Sequence, residues 1–332
     1  MTESVVTPLV TGLSMAFLTG LVDAMTKAAT PLLFAALGEI VAERSGVLNL
    51  GIEGTMLMGA LSAFVVTVTT GSLWLGFGVG MLVGGLAGLL HAFLCVTLKA
   101  DQVISGLMIT ILGTAITTFF GGDWTDRNIE GLGEVYFPIV GRALADVPIV
   151  GEAFFHTTPT DYVALLLVPI VWYVVFHTNL GLEIDAVGED PESADTVGVP
   201  VFRLRYLATV FGGVLGGLAG AHMSLAWIQQ WSNGMTSGLG WIAIALVIVS
   251  RWRPFYALAV AYVFATFNAL QIRMQGIDVT GGPIVETLTN PIFMGMYPYL
   301  ATIAVLAWVS RGEVSARLGG PSALAVPYTR EE

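Results

Sequence analysis

Residues 72–98, SLWLGFGVGMLVGGLAGLLHAFLCVTL, contain no Asp, Glu, Lys or Arg. Such a run reaches the ~17–25 apolar residues that carry a helix across a bilayer. The pattern recurs along the chain, with apolar segments at 9–42, 54–70, 72–98, 103–120, 162–177, 206–227, 239–250, 254–270 and 292–310. Only 11% of the 332 residues are charged, against ~25% in soluble proteins. The expectation is an all-α polytopic integral membrane protein with about nine (eight to ten) transmembrane helices. Two segments set that range. The first is long, and Pro31 can kink or split it. The seventh, 239–250, is too short to span upright and reads as broken or re-entrant. The opening MTESVVTPLV has an acid and no basic stretch, so it does not read as a cleaved signal peptide.

The formal net charge is −11, with 13 basic against 24 acidic residues. That balance argues against a nucleic-acid partner, which would call for a basic face. It suits well-hydrated acidic loops, as in a high-salt cytoplasm. The single cysteine, Cys95, sits in an apolar run and reads as a small buried hydrophobe. Orientation follows from the bases in short loops. With the N-terminus outside and nine crossings, Arg44, Lys99, Arg203, Arg205, Arg251, Arg253, Arg311, Arg317 and Arg330 fall inside, whereas Lys27, Arg127, Arg142 and Arg273 fall outside.

Two polar connections interrupt the apolar series. Residues 121–161, on the outer side, hold seven acids, two arginines and Trp124. Residues 178–205, on the inner side, contain a compact helix signal. Asp190 is placed as N-cap, Pro191 at the first helical position and Glu192 at the positive end of the dipole. Gly198 closes the helix and Pro200 prevents its resumption. Two turns are too few to be stable alone in water, so this helix should pack on something.

No Gly-Lys pair, H-E-x-x-H or G-x-S-x-G occurs, so nothing supports a Walker A site, a zinc protease or a hydrolase. The four histidines lack metal-ligand spacing. The remaining chemistry lies in polar groups at or near membrane depth, which are expensive there and face protein or water. Glu39 and Glu43 share a helix face, and Arg44 can neutralise one of them. Glu53 can cap a helix start. Asn49 stands between glycine-flanked helix ends, where an amide suits hydroxyl recognition or gating. His91 suits hydrogen-bonded packing or the path of a solute. Asn268 and Gln271 lie near the outer end of the eighth segment, and Asn268 is a further pathway candidate.

The stretch GEIVAERSGVLNLGIEGTMLMGALSAF (38–64) resembles the signature of permease subunits of ABC importers in the branched-chain amino acid, ribose and nucleoside group, nearest its nucleoside and simple-sugar branch. Residues 101–120, 181–225 and 233–254 are similar to further blocks in the same order. The resemblance implies a type II importer fold with one permease domain over 1–312 and a cytoplasmic tail over 313–332. It implies a prokaryotic plasma-membrane location, a second permease subunit (the same or a paralogous chain), an extracytoplasmic substrate-binding protein and cytoplasmic ATPases. Those ATPases would hydrolyse ATP with Mg, and this chain would carry no cofactor and catalyse nothing. The loop matching 181–198 would supply a coupling helix that docks on the ATPase through Glu189, Asp190, Pro191, Glu192, Ser193 and Ala194. Departures from the pattern are Glu183 and Asp185, where bases are usual, and Leu239, where an Arg is common. The competing expectation is an ATP-independent channel or secondary transporter for a small polar solute.

Overall fold

Seven helices among the described residues are long and apolar enough to cross a membrane. The structure is a computed structural model and describes residues 15–125, 127–138, 141–275, 282–297, 299–300, 303–304, 307 and 320–329. The spanning helices are α1 (Met15–Arg44), α2 (Ile52–Thr70), α3 (Leu73–Ala92), α4 (Gln102–Gly121), α7 (Pro159–His177), α10 (Val201–His222) and α12 (Pro254–Met274). Between α4 and α7 lie a two-stranded antiparallel pair, β1 (Val135–Tyr136) with β2 (His156–Thr157), and the short helices α5 (Gly141–Leu144) and α6 (Gly151–Phe155). The inner connection holds α8 (Asn179–Glu189) and α9 (Pro191–Thr196). The seventh apolar segment is the half-length helix α11 (Leu239–Val249), and α13 (Pro283–Leu288) and α14 (Pro291–Met294) follow α12. The ninth apolar segment, 292–310, lies largely outside the described residues, as do Arg311, Arg317 and Arg330.

Local chemistry sets the boundaries. Asp101 caps α4 through Ile104 N, and Thr158 with Asp161 forms a capping box on α7. Pro254 takes the first position of α12, where no N–H is needed. Pro31 does not split the first segment: α1 runs unbroken for 30 residues, about 45 Å at 1.5 Å per residue.

The centre of the bundle is a glycine seam. GGLAG occurs at 84–88 in α3 and again at 216–220 in α10, each followed by a buried histidine and a π-turn, at Phe93–Thr97 and Met223–Trp227. The two runs lie against one another. A Cβ at Gly84 would overlap the Gly213 carbonyl and Gly217, and one at Gly220 would overlap the Met56 carbonyl in α2. Apolar burial contributes little between helices in lipid, so close backbone approach does this work.

Two stretches at membrane depth are not helical. After Arg44 the chain runs without helix until Ile52. Gly51 packs on Ile109 of α4, seven residues beyond the start of that helix and therefore about 10 Å in from its inner end. Before α11, residues 228–238 descend from the outer side, where Gln230 bridges Asn128, to the level of Glu53. The short seventh segment is thus the inner half of a broken crossing. Its far end meets α1: Arg44 donates to the Trp252 carbonyl, and Trp252 Nε1 donates to Glu43. Arg44 neutralises neither Glu39 nor Glu43. It forms a bidentate pair with Asp185 of α8, a side chain its length and fork geometry reach better.

Candidate functional site

Glu53 stands at the meeting point of two helix starts. It belongs to the first turn of α2, yet its carboxylate accepts from Thr236 Oγ1 at 2.5 Å, Gly238 N at 2.9 Å and Gly240 N at 2.7 Å. It therefore caps the N-terminus of α11 from across the bundle, where unpaired N–H groups and the dipole favour a negative charge. Gly238 turns into that helix at φ +85°, a left-handed conformation that glycine adopts without strain. Gly240 leaves no room for a Cβ against Glu53.

The preceding stretch, 45–51, is held by side chains of α3 and α4. Gln102 accepts from Leu48 N at 2.7 Å and donates to the Gly46 carbonyl at 3.4 Å. His91 bonds the Leu48 carbonyl at 3.0 Å and Ser105 Oγ at 2.9 Å, and Thr110 donates to the Leu50 carbonyl. Asn49 accepts from Gly51 N at 3.0 Å and donates to Glu39 at 3.2 Å. Glu39, Asn49 and His91 thus form one buried hydrogen-bonded region, with Glu43 bonded separately to Trp252. Irregular backbone at membrane depth needs such partners.

A cavity of about 530 Å³ lies between the π-turn at the end of α10, the 235–239 turn and α12. Trp227, Thr236, Ser237, Asn268, Gln271 and Tyr299 are among its lining residues. Of the sequence candidates only Asn268 lines it, and its Oδ1 is buried without a hydrogen-bond partner. Thr236, on the cavity wall, is the residue that bonds Glu53. Among the described residues, no group of three or more His, Cys, Asp or Glu side chains is placed to hold a metal.

At the inner end the short helix forms as α9. Asp190 Oδ1 accepts from Ser193 N at 3.0 Å, and the Ser193 hydroxyl donates to its other oxygen. Those bonds, the hydroxyl first, hold the Asp190 carboxyl below the usual carboxylate range. Gly198, at φ +89°, ends the helix: Gly198 N bonds the Asp195 carbonyl and Val199 N the Ala194 carbonyl, the paired bonds of a Schellman closure. Pro191 opens the helix, Glu192 is exposed, and Ala194 is the residue it buries.

Two neighbouring elements escaped sequence reasoning. Helix α8 directly precedes α9; Thr178 caps it, and Gly181, Ile184, Val187 and Gly188 form its buried stripe, a helical spacing that was open to detection. The strap 320–329 also folds back over the inner face. Ser322 bonds Glu189, Tyr328 bonds Asp195, Ala323 N bonds the Gly188 carbonyl, and Arg205 bonds the Val326 carbonyl. No periodicity in PSALAVPYT announces this.

Residues 20–306 match the profile of the family described as branched-chain amino acid transport system / permease component. The chain is 55% identical to the Haloferax volcanii protein named "Putative glucose ABC transporter permease protein TsgC13", over 96% of this chain and 99% of that one. It is 34% identical to the nucleoside ABC transporter permease protein NupC of Lactococcus lactis, over 84% of this chain and 88% of the relative. Identity to the guanosine ABC transporter permease protein NupQ of Bacillus subtilis is 32%, over 91% and 94%. No solved structure matches significantly. A profile match over most of the chain, and relatives aligned along nearly their whole length, place this multi-pass membrane protein in the branched-chain amino acid transport system permease family, the membrane component of ABC transporters.

Proposed function

We propose that the chain is the translocating subunit of an importer that carries a simple sugar or a nucleoside inward. It would work with a second permease chain, two cytoplasmic ATPases and an extracytoplasmic binding protein. The cargo named for the relatives, glucose, nucleosides and guanosine, supports the substrate class. One observation carries the coupling half of the reading. Helix α9 is capped at both ends, stands on the same inner connection as Arg203 and Arg205, and is tied rigidly to the bundle. The ties run through α8, which directly precedes it: the Arg44–Asp185 pair and the packing of Gly188 on the Arg44 carbonyl. ATPase closure would push α9, and α8 would pass the motion to α1 and to the break at 45–51. The surface offered to the ATPase is Glu189, Asp190, Pro191, Glu192 and Ser193; Ala194, the sixth contact expected from the sequence, is buried beneath the helix and anchors it instead. The segment 121–161 would face the binding protein; Lys27 of α1, bonded to Glu134, anchors it.

The test is charge reversal at the coupling helix. Replacing both Asp190 and Glu192 with Lys should reduce uptake and ATPase capture severalfold while membrane insertion stays intact. Undiminished capture of the ATPase by that variant would refute the assignment.

A further inference from the structure

We infer that the cavity beside the 235–239 turn is a binding site for an uncharged, polyhydroxylated ring, a sugar or the ribose end of a nucleoside, and that Asn268 is its fixed acceptor. This rests on the importer reading above and deepens it. Three observations carry it. First, no lining residue among the described residues is charged. A zwitterionic amino acid would bring an ammonium and a carboxylate into a space that pairs neither, at considerable desolvation cost. Secondly, the ready-made anion site at the start of α11 is already filled. The N–H groups of Gly238 and Gly240 at the start of α11 would receive a carboxylate, but both donate to Glu53. Among the described residues, the branched-chain amino acids named in the family description therefore find no partner here for either charge.

Thirdly, the polar groups suit hydroxyls and the apolar ones suit ring faces. Asn268 Oδ1 is an acceptor with no partner, which a hydroxyl donor would satisfy. Gln271 offers a second amide on the same helix, one turn further along; the 235–239 turn adds the Ser237 hydroxyl and Thr236 Oγ1, which donates to Glu53 and so is left to accept. Trp227, Phe264 and Tyr299 supply aromatic surface, with Phe264 and Tyr299 edge to face at 6.2 Å. A few convergent polar groups on an aromatic lining are the make-up of a small-molecule site. The location adds to this: the cavity adjoins both a π-turn and the interrupted crossing, features that recur where transporters hold solute.

The experiment uses the complete importer in vesicles, with glucose, guanosine and leucine as separate probes at saturating binding protein. Wild-type uptake of glucose or guanosine, but not leucine, is expected. Asn268→Ala and Trp227→Ala should each lower that uptake about tenfold while binding-protein-stimulated ATP hydrolysis stays within twofold. A merely structural role would lower both together. Asn268→Cys gives a second readout, because the natural Cys95 is buried. Its reaction with a methanethiosulfonate should slow severalfold during turnover with the transported probe, and that of a Thr70→Cys control should not. Uptake of neither glucose nor guanosine by the wild type would overturn the importer reading itself. Wild-type uptake with unaltered or parallel changes in the variants, or unprotected labelling at 268, would overturn the cavity assignment alone. Leucine uptake would overturn the argument from charge.

Discussion

Between Ser45 and Gly51 the free backbone groups are taken by long side chains reaching in from α3 and α4. Between Ile228 and Gly238 the backbone turns on itself and on one carboxylate. The inner break has a single left-handed residue, Gly46, and is sealed by Gln102, His91, Thr110 and Asn49. The outer break has four, Gln229, Gly234, Ser237 and Gly238, with tight turns at Met235, Ser237 and Leu239. Its polar groups border the cavity. The two breaks meet at Glu53, which begins the helix after one and caps the helix after the other. A break held by side chains that reach in from neighbouring helices serves as architecture. A break with hydroxyls beside an open space is where a solute can be handled.

Glu53→Ala should separate the two breaks most violently. It leaves three donors at the start of α11 without an acceptor, and each buried unsatisfied group costs about 1–3 kcal/mol. Little folded protein should survive detergent extraction, and uptake should be lost. Glu53→Gln keeps an acceptor oxygen but not the charge, so it should fall between. A melting temperature for Glu53→Ala equal to that of wild type, followed by size exclusion, would show that α11 is held by something else.

Gln102→Leu attacks the sealed break alone. It removes the acceptor of Leu48 N and the donor to Gly46, an expected loss of about 1–3 kcal/mol. If that break is architecture, uptake per folded molecule should match wild type even as the melting temperature drops. A change in transport rate among the surviving molecules would put the break in the pathway.

Asn49→Ala should show the same division on a smaller scale, at about 1 kcal/mol, since it frees Gly51 N and one oxygen of Glu39. Uptake normalised to folded protein decides whether Asn49 touches the solute.

How far sequence reaches is uneven across these same regions. The spanning helices were legible because apolar length is a property of consecutive residues, and most boundaries fall within a few residues of the structure. Helix α9 was legible because Asp190, Pro191, Gly198 and Pro200 each act within a turn of their own position. The seals were not. His91, Gln102 and Thr110 meet the 45–51 backbone from 40 to 60 residues away, and Glu53 finds Thr236 across 183 positions. Nothing in the spacing of those residues encodes the partner. The same distance hid the cavity, since Asn268 and Gln271 look like ordinary interfacial amides until Trp227 and Thr236 are placed opposite them.

The smallest expected effect probes the outer break by relaxing it. Ser237 sits at φ +47°, where an L side chain is strained, and its hydroxyl makes only a 3.3 Å bond to the Gly234 carbonyl. Glycine there relieves that strain, although it also widens the unfolded ensemble. The net gain should be at most about 1 kcal/mol. Ser237→Gly should therefore raise the melting temperature slightly or leave it level. Its uptake then reads whether the strain itself matters. Unchanged uptake means that the turn only shapes the wall, whereas slower uptake from a more stable protein means that the left-handed serine is held for the passage of solute.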